Sequence, residues 1–580
     1  MNQTFLRKMR QPLPLFLGVL VLLVGSIEGW YGRLEYSGDD ISYLSVTKMI
    51  HLNDWKAALN PLWSIGYPLL LSFFHLFFPT TLRGELMAIF TLNIVICFLS
   101  WLSFLWLLHT IVQFTRNNLS DTLPDSLPNS RQTSLPPFLL ITGTCVFLAA
   151  QLGLGNVSIV GPDQLIAGLF FLAVGIMLHL FQRPTIETGL LFGAILGIGF
   201  FVKAIFLALS VILLITTVLY SRKQIKAAPL AAAIATFLIL VAIYGTALSW
   251  AYGQPTLGES GSLNYAFHVN HLPHWMGWEG GPPQLGNPIH PVRQIFDNPA
   301  VFAFGEPFHV TYPPQYALVY WYQGYRHFFD IRNVVTAFLL NVRYLITLLR
   351  DNDRVVLAIL LCACVAFFLQ KNRGAWLRQF IHAWPWILPP VLGLVLYLQV
   401  HLEARYVSGF IAVLGIVPFI AMELWGTGVP TKLKALITVI LIAGTALTLY
   451  PLLHDPSRLA VHGSDITSGD SWKIARYLQQ IGMHEGDKVA EVSNRNDIRC
   501  TWAYASGVHI VAGIGNDIHD PKERMQDTHL FFDDPHIQQQ VLNLFRQQGA
   551  IVVVAPYMPY DVVSPGWQHV PGTAAWVLKL

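Results

Sequence analysis

Asp39 and Asp40 stand side by side in Ser37-Gly38-Asp39-Asp40-Ile41-Ser42-Tyr43, directly after the first strongly apolar run, Pro12 to Ile27. Two adjacent carboxylates at the mouth of a membrane helix are costly to dehydrate, so they belong in the aqueous interface or a wet cavity. The same residues also suit a helix N-terminus, because Gly-Asp-Asp precedes Tyr43, Val46 and Ile50. Chemistry and helix cap both stay open on the residues alone. Further ionisable groups mark the edges of later apolar runs: Asp163 opens one, Lys203 sits between two, and His401-Leu402-Glu403-Ala404-Arg405-Tyr406 precedes another. A Lys or Arg in such a place often only snorkels to the interface, and Asp163 also suits a helix cap. His268, His271 and His274 are spaced at three, with Glu279 following, a pattern that could bind a divalent metal. Pro273 interrupts any helix that would align them, so lining a binding site is the better reading of this His- and aromatic-rich stretch.

The elements that must position these groups are membrane helices. Of 580 residues 54% are hydrophobic and only 12% charged, against roughly 25% in soluble domains. A net charge of +3 is too small to imply a nucleic-acid partner. Apolar runs near 12–30, 86–112, 137–154, 164–181, 188–202, 204–220, 228–250, 355–370, 380–400, 405–425 and 432–453 give about eleven expected spans. Residues 188–202 and 204–220 turn around Lys203 as a tight hairpin. Arg7, Lys8 and Arg10 precede the first run, and Glu28-Gly29-Trp30-Tyr31 reads as its interfacial anchor, so it is expected to be retained.

Lys and Arg in the short loops (Arg116 and Arg131, Arg183, Arg222 to Lys226, Lys371 to Arg378, Lys432 and Lys434) set the N-terminus inside. That bias holds at every turn only if 65–79 and 333–349 are interfacial or re-entrant helices. Asp39, Asp40, Asp163, Lys203, the long loop 251–332, the Glu403–Tyr406 segment and everything after 454 then share the extracytoplasmic face. No internal repeat accompanies them, which disfavours a transporter with charges at the bilayer midplane.

The first extracytoplasmic loop, 31–85, and loop 251–332 belong to a transmembrane domain 1–454, followed by an extracytoplasmic domain 455–580. In the latter, Ser471–Ile481 and Ile537–Gln548 pattern as helices, and Lys488–Val492, Ile551–Val554 and Ala574–Leu580 as strands, a small α/β layer. Gly513-Ile514-Gly515 lacks the rest of a dinucleotide fingerprint and reads as a turn. Trp275, Trp278, Trp321 and Tyr322 fit an interface belt. Cys97, Cys145, Cys362 and Cys364 lie in apolar runs, and Cys500 is alone in the polar region, so no disulfide or Cys metal spacing arises.

Gly38-Asp39-Asp40-x-x-Tyr43 just outside the first helix resembles the acidic motif of the C-type, polyprenyl-phosphate-sugar-dependent membrane glycosyltransferases. That group includes protein O-mannosyltransferases, aminoarabinose transferases and the lipopolysaccharide-modifying transferases of rhizobia. Trp63-Ser64-Ile65-Gly66-Tyr67-Pro68, Gly161-Pro162-Asp163, Gly197 to Lys203 and Glu403-Ala404-Arg405-Tyr406 resemble its later motifs, in order, across roughly residues 10–450. The second acid is Asp40 where many relatives carry Glu, and Ser64-Ile65-Gly66 replaces a more Pro-rich stretch, which leaves the subfamily open.

The resemblance implies an α-helical polytopic membrane protein of the C-type glycosyltransferase fold with a C-terminal soluble α/β domain. It implies inverting transfer of a hexosyl or pentosyl group from a polyprenyl-phosphate donor to a glycan, lipid or protein acceptor outside the cytoplasmic membrane. Such transfer needs a base for the acceptor hydroxyl and cations for the departing phosphate. Asp39 fits the base, with Asp40 holding or replacing it. Lys203 and Arg405 fit the phosphate, Arg offering bidentate contact. Tyr43, Asp163, His268, Glu403 and Tyr406 complete the expected binding surface. No cofactor is certain, although a divalent metal is used by some of the group. A lipid-linked-substrate transporter and a non-catalytic assembly protein are the competing classes.

Overall fold

The structure is a computed structural model that describes residues 12–33, 36–79, 81–120, 135–221, 227–272, 293–305, 309–318, 325–351, 373–425, 429–453, 469–493, 500–514, 521–556 and 565–580, with 359, 364 and 368. His274, Trp275, Trp278, Glu279, Trp321, Tyr322 and most of the expected span 355–370 lie outside the described residues.

Apolar runs fold as helices because in a bilayer every backbone amide must be satisfied within its own segment. The helices are α1 (Pro12–Gly32), α2 (Gly38–His51), α3 (Gly66–His75), α4 (Leu82–Ser120), α5 (Pro137–Gln151), α6 (Asp163–Gln182), α7 (Ile186–Val202), α8 (Ile205–Ser221), α9 (Ala227–Tyr252) and α10 (Ser260–His268). After the long loop come α11 (Ile331–Asp351), α12 (Arg373–His382), α13 (Trp384–Leu398), α14 (Ala404–Gly415), α15 (Val417–Leu424) and α16 (Thr431–Leu453). Ten of the eleven expected runs coincide with these helices. Among the described residues seven helices are long and apolar enough to cross a membrane, or eight if the pair bent by 64° around Ala383 is one span. α5, α7 and α8 are shorter apolar helices, and α11 passes the same test of length and composition. At ten residues, about 15 Å, α3 is too short to cross.

Close approach of backbones sets the arrangement around the site. A Cβ on Gly189 or Gly193 would lie 2.1 or 2.2 Å from the carbonyl oxygen of Pro229 or Ala233, and one on Gly197 2.5 Å from the Leu240 side chain. These glycines recur every four residues along one face of α7, so α9 packs directly on its backbone. A Cβ on Gly66 would fall 2.7 Å from the Cα of Val202, so α3 begins against the last turn of α7. The chain turns at Lys203, in extended conformation, and re-enters as α8.

The C-terminal region adds α17 (Asp470–Gln480), α18 (Thr501–Ser506), α19 (Pro521–Asp533) and α20 (Pro535–Gln547) to a seven-stranded sheet. Its strands are β1 (Arg293–Phe296), β2 (Val301–Ala303), β3 (Lys488–Val492), β4 (His509–Ile514), β5 (Val552–Ala555), β6 (Gln568–His569) and β7 (Trp576–Lys579). Their order is β1-β2-β4-β3-β5-β7-β6, with β4, β3 and β5 parallel and the outer pairings antiparallel. The expected strands and helices of this region are present. Gly513 and Ile514, read from sequence as a turn, instead end the buried strand β4, because flanking Ile510, Val511 and Ala512 supply a fully buried face. The hairpin β1–β2 comes from the long loop, so that loop and the C-terminal region form one sheet.

Candidate active site

Ser37 caps α2 reciprocally with Asp40: the Asp40 amide donates to Ser37 Oγ at 3.3 Å, and the Ser37 amide and hydroxyl donate to Asp40 Oδ2 at 2.6 and 2.9 Å. Asp40 Oδ1 accepts from the amide of Val160 at 2.9 Å. Both carboxylate oxygens of this buried residue are therefore occupied, and they tie α2 to the loop that leads into α6. Burial pushes the Asp40 carboxyl up to about 7, against the lowering effect of the Ser37 bonds.

Asp39, one residue earlier and about 100° around the helix, points elsewhere. Its Oδ2 lies 2.7 Å from Arg405 Nη2, with a third of the side chain exposed. Arg405 Nε also meets Glu403 Oε2 at 2.7 Å and Asp163 Oδ2 at 3.6 Å. The other oxygen of Asp163 meets Lys203 Nζ at 2.5 Å, and that ammonium sits 3.9 Å above the Tyr406 ring. Asp39 and Asp163 occupy first helical turns, and Lys203 caps the end of α7, each on the favourable side of its helix dipole. Arg405 is on the unfavourable side, in the first turn of α14. Three surrounding carboxylates hold it there.

Glu403, the N-cap of α14, accepts from His401 at 3.2 Å. Burial opposes ionisation, but that hydrogen bond and the Arg405 guanidinium hold the Glu403 carboxyl down at about 2. His401 stacks on His268 with ring centroids 3.9 Å apart and planes within 4°. Tyr43 is buried behind the acids, edge-on to Trp63 and Tyr67. Burial, then the charges of Asp163 and Asp39, push its hydroxyl up and keep it protonated.

The network thus joins Asp39, Asp163, Lys203, His268, Glu403, Arg405 and Tyr406, from five stretches of chain, with Tyr43 as its floor. Asp40 borders it without facing it. His271 adopts a left-handed backbone conformation, and among the described residues no group of three or more His, Cys, Asp or Glu is arranged to hold a metal ion.

Two polar side chains that the sequence did not place at the site, Glu28 (read there as part of an interfacial anchor) and Asn93, fix the loop before Asp163. Glu28 accepts from the Val157 amide at 2.7 Å. Asn93 donates to the carbonyls of Val157 and Ile159 at 2.8 and 3.0 Å and accepts from the Tyr67 hydroxyl at 2.9 Å. Polar side chains inside apolar runs were the available signal, since each must find a partner there.

The arrangement has two cations and three acids at converging helix ends beneath a sheet-bearing region, and the chain shares its fold with solved structures. Two solved structures of ArnT, an aminoarabinose transferase, from Cupriavidus metallidurans share it. The apo form is 14% identical with a TM-score of 0.50, covering 96% of this chain and 97% of its own. The form bound to undecaprenyl phosphate is 13% identical with a TM-score of 0.50, covering 97% of each. No family model matches the chain. No curated protein sequence matches it either.

Proposed function

We propose that the protein is an inverting membrane glycosyltransferase that moves a sugar from a polyprenyl-phosphate donor to a hydroxyl acceptor on the extracytoplasmic face of the cytoplasmic membrane. The observation that carries this reading is the division of labour around Arg405. A partly exposed carboxylate, Asp39, and a two-cation site, Arg405 with Lys203, share one cluster. A fold shared with a protein solved bound to undecaprenyl phosphate supports the donor class.

The donor phosphate competes with Asp39 and Asp163 for Arg405 and Lys203. Asp39 is thereby released from its ion pair and faces the acceptor. The acceptor hydroxyl oxygen attacks the anomeric carbon, its proton passes to Asp39, and the bond from that carbon to the phosphate oxygen breaks. The electron pair leaves with polyprenyl phosphate, whose charge Arg405 and Lys203 offset. A single displacement of this kind inverts the anomeric centre. Asp40 acts as a positioning residue, holding the first turn of α2 against Val160. His268, Glu403 and Tyr406 form the rim and floor on which sugar and phosphate rest.

Release of free polyprenyl phosphate from a panel of polyprenyl-phosphate sugars, by the purified protein and its Arg405→Ala and Lys203→Ala variants, tests this reading. Loss of turnover in both folded variants is expected. Full turnover in either would remove that cation from the phosphate site.

A further inference from the structure

α11 (Ile331–Asp351) has two unlike faces. Phe338, Val342, Leu345 and Leu348 pack against the helical core. Asn341, at the middle of the helix, donates to the carbonyls of Leu398 and Val400 at 3.1 Å each and accepts from the Leu402 amide at 3.3 Å. Those residues connect α13 to Glu403, so the middle of α11 is fixed at the level of the ionic cluster. A helix of 21 residues is about 31 Å long, which only just spans a hydrocarbon core. Held by its middle at the level of the ionic cluster, it extends only about 15 Å to either side of that level.

The opposite face is exposed. Arg332, Arg343 and Arg350 follow one another by eleven and seven residues and so return to one stripe within about 20°. Thr336, Leu339 and Ile346 fill the stripe between them, and it holds no acidic residue. Leu339, Leu340 and Ile346 are each about 60% exposed, and Val335 and Tyr344 flank them at 48% and 44%. A solvated helix face would account for the arginines but not for these apolar neighbours. A span through lipid would account for the apolar residues but would place Arg343 at depth.

We propose that α11 lies in the head-group layer and docks its arginine stripe on the phosphates of anionic phospholipids, its exposed leucines and isoleucine entering the acyl boundary. Positive charge along the stripe, apolar flanks and the level set by Asn341 all fit that one partner. The surface stands independently of the transfer reading, since no residue of the ionic cluster belongs to it.

The test is binding of fluorescent phosphatidylglycerol and phosphatidylcholine to the full-length protein in neutral detergent. The comparison includes a triple variant, Arg332→Gln with Arg343→Gln and Arg350→Gln, and the matching triple Lys variant. The wild type is expected to prefer phosphatidylglycerol about a hundredfold, at roughly fivefold for each of the three arginines. That preference should fall as salt rises, vanish in the Gln variant and survive in the Lys variant. Equal affinity of the wild type for both lipids would overturn the proposal and leave an acidic protein as the cover for the stripe. A Gln variant that keeps the full preference would overturn it too, by placing the anionic-lipid site elsewhere.

Discussion

Asp39 and Asp40 are the same residue type one position apart, yet the first turn of a helix sends them to different tasks. Asp40 accepts three hydrogen bonds from Ser37 and Val160, whereas Asp39 pairs with Arg405. Asp40→Ala should therefore cost about 1–3 kcal/mol of stability, through the lost cap and the orphaned Val160 amide. A lowered thermal midpoint in detergent checks this, and Asp39→Asn should show a much smaller shift. Glu403 gives a pH-dependent outcome. Its folded pKa of about 2 lies below the ordinary 4.5, so its stabilising contribution is complete above about 4.5 and disappears as pH falls toward 2. Because the side chain is 35% exposed, the contribution is on the order of 1 kcal/mol after discounting for solvent screening. The difference in thermal midpoint between wild type and Glu403→Gln should thus be steady from pH 7 to 5 and shrink below that. Residue types and their places at run edges were enough to bring Asp39, Asp163, Lys203, Glu403 and Arg405 under suspicion. Their pairing was not legible, because Asp163 bridges Lys203 and Arg405 across a separation that only the fold closes. The cap reading of Gly-Asp-Asp holds for Asp40, which completes the capping box with Ser37, whereas the chemical reading of Asp39 is what we propose.

Among the elements, α7 matters most because its end carries Lys203. Gly66 is what lets α3 begin against that end, and a methyl group there meets the Val202 backbone rather than a yielding side chain. Gly66→Ala should push α3 and α7 apart, cost about 1–3 kcal/mol, and weaken donor binding as well as turnover, because Lys203, the proposed phosphate partner, shifts from its place beside Asp163. Measuring kcat and KM on the purified variant separates this from simple loss of folded protein. Apolar run length made most helices readable, and the Lys and Arg bias of the short loops made α3 readable as a non-crossing element. The glycine stripe of α7 against α9 was hidden, because Gly189 and Gly193 declare a neighbour only once that neighbour is in place. Strand β4 was missed for a local reason: Gly513 within it weakens a strand signal that its buried pairing with β3 and β2 restores.

The whole molecule is closed by contacts between distant parts of the chain. Lys48 of α2 pairs with Glu485 at 2.9 Å, and Tyr504 donates to Glu85 at 2.5 Å. Thr501 donates to the Tyr36 carbonyl at 3.4 Å, and the Ile510 amide donates to the carbonyl of Thr311 at 3.0 Å. The C-terminal sheet thus rests on the elements that carry Asp39 and completes its own edge with β2 from the long loop. Truncation after Leu453 should leave β1 and β2 unpaired with β4, so residues 293–318 should become sensitive to limited proteolysis while the helical part stays resistant. The α/β character of the C-terminal region was visible in its alternating helices and strands. That its sheet would recruit a hairpin from some 200 residues earlier was not, because nothing local to Arg293–Ala303 names its partner. The central claim, that this assembly uses Asp39 to activate an acceptor beside a two-cation phosphate site, is tested most directly by one comparison. Donor turnover is followed as release of free polyprenyl phosphate by wild type and Asp39→Asn, both shown to be folded by their thermal midpoints. The expected result is turnover in the wild type with at least a hundredfold loss in the variant. Equal turnover in the two proteins would contradict the claim and remove Asp39 as the base.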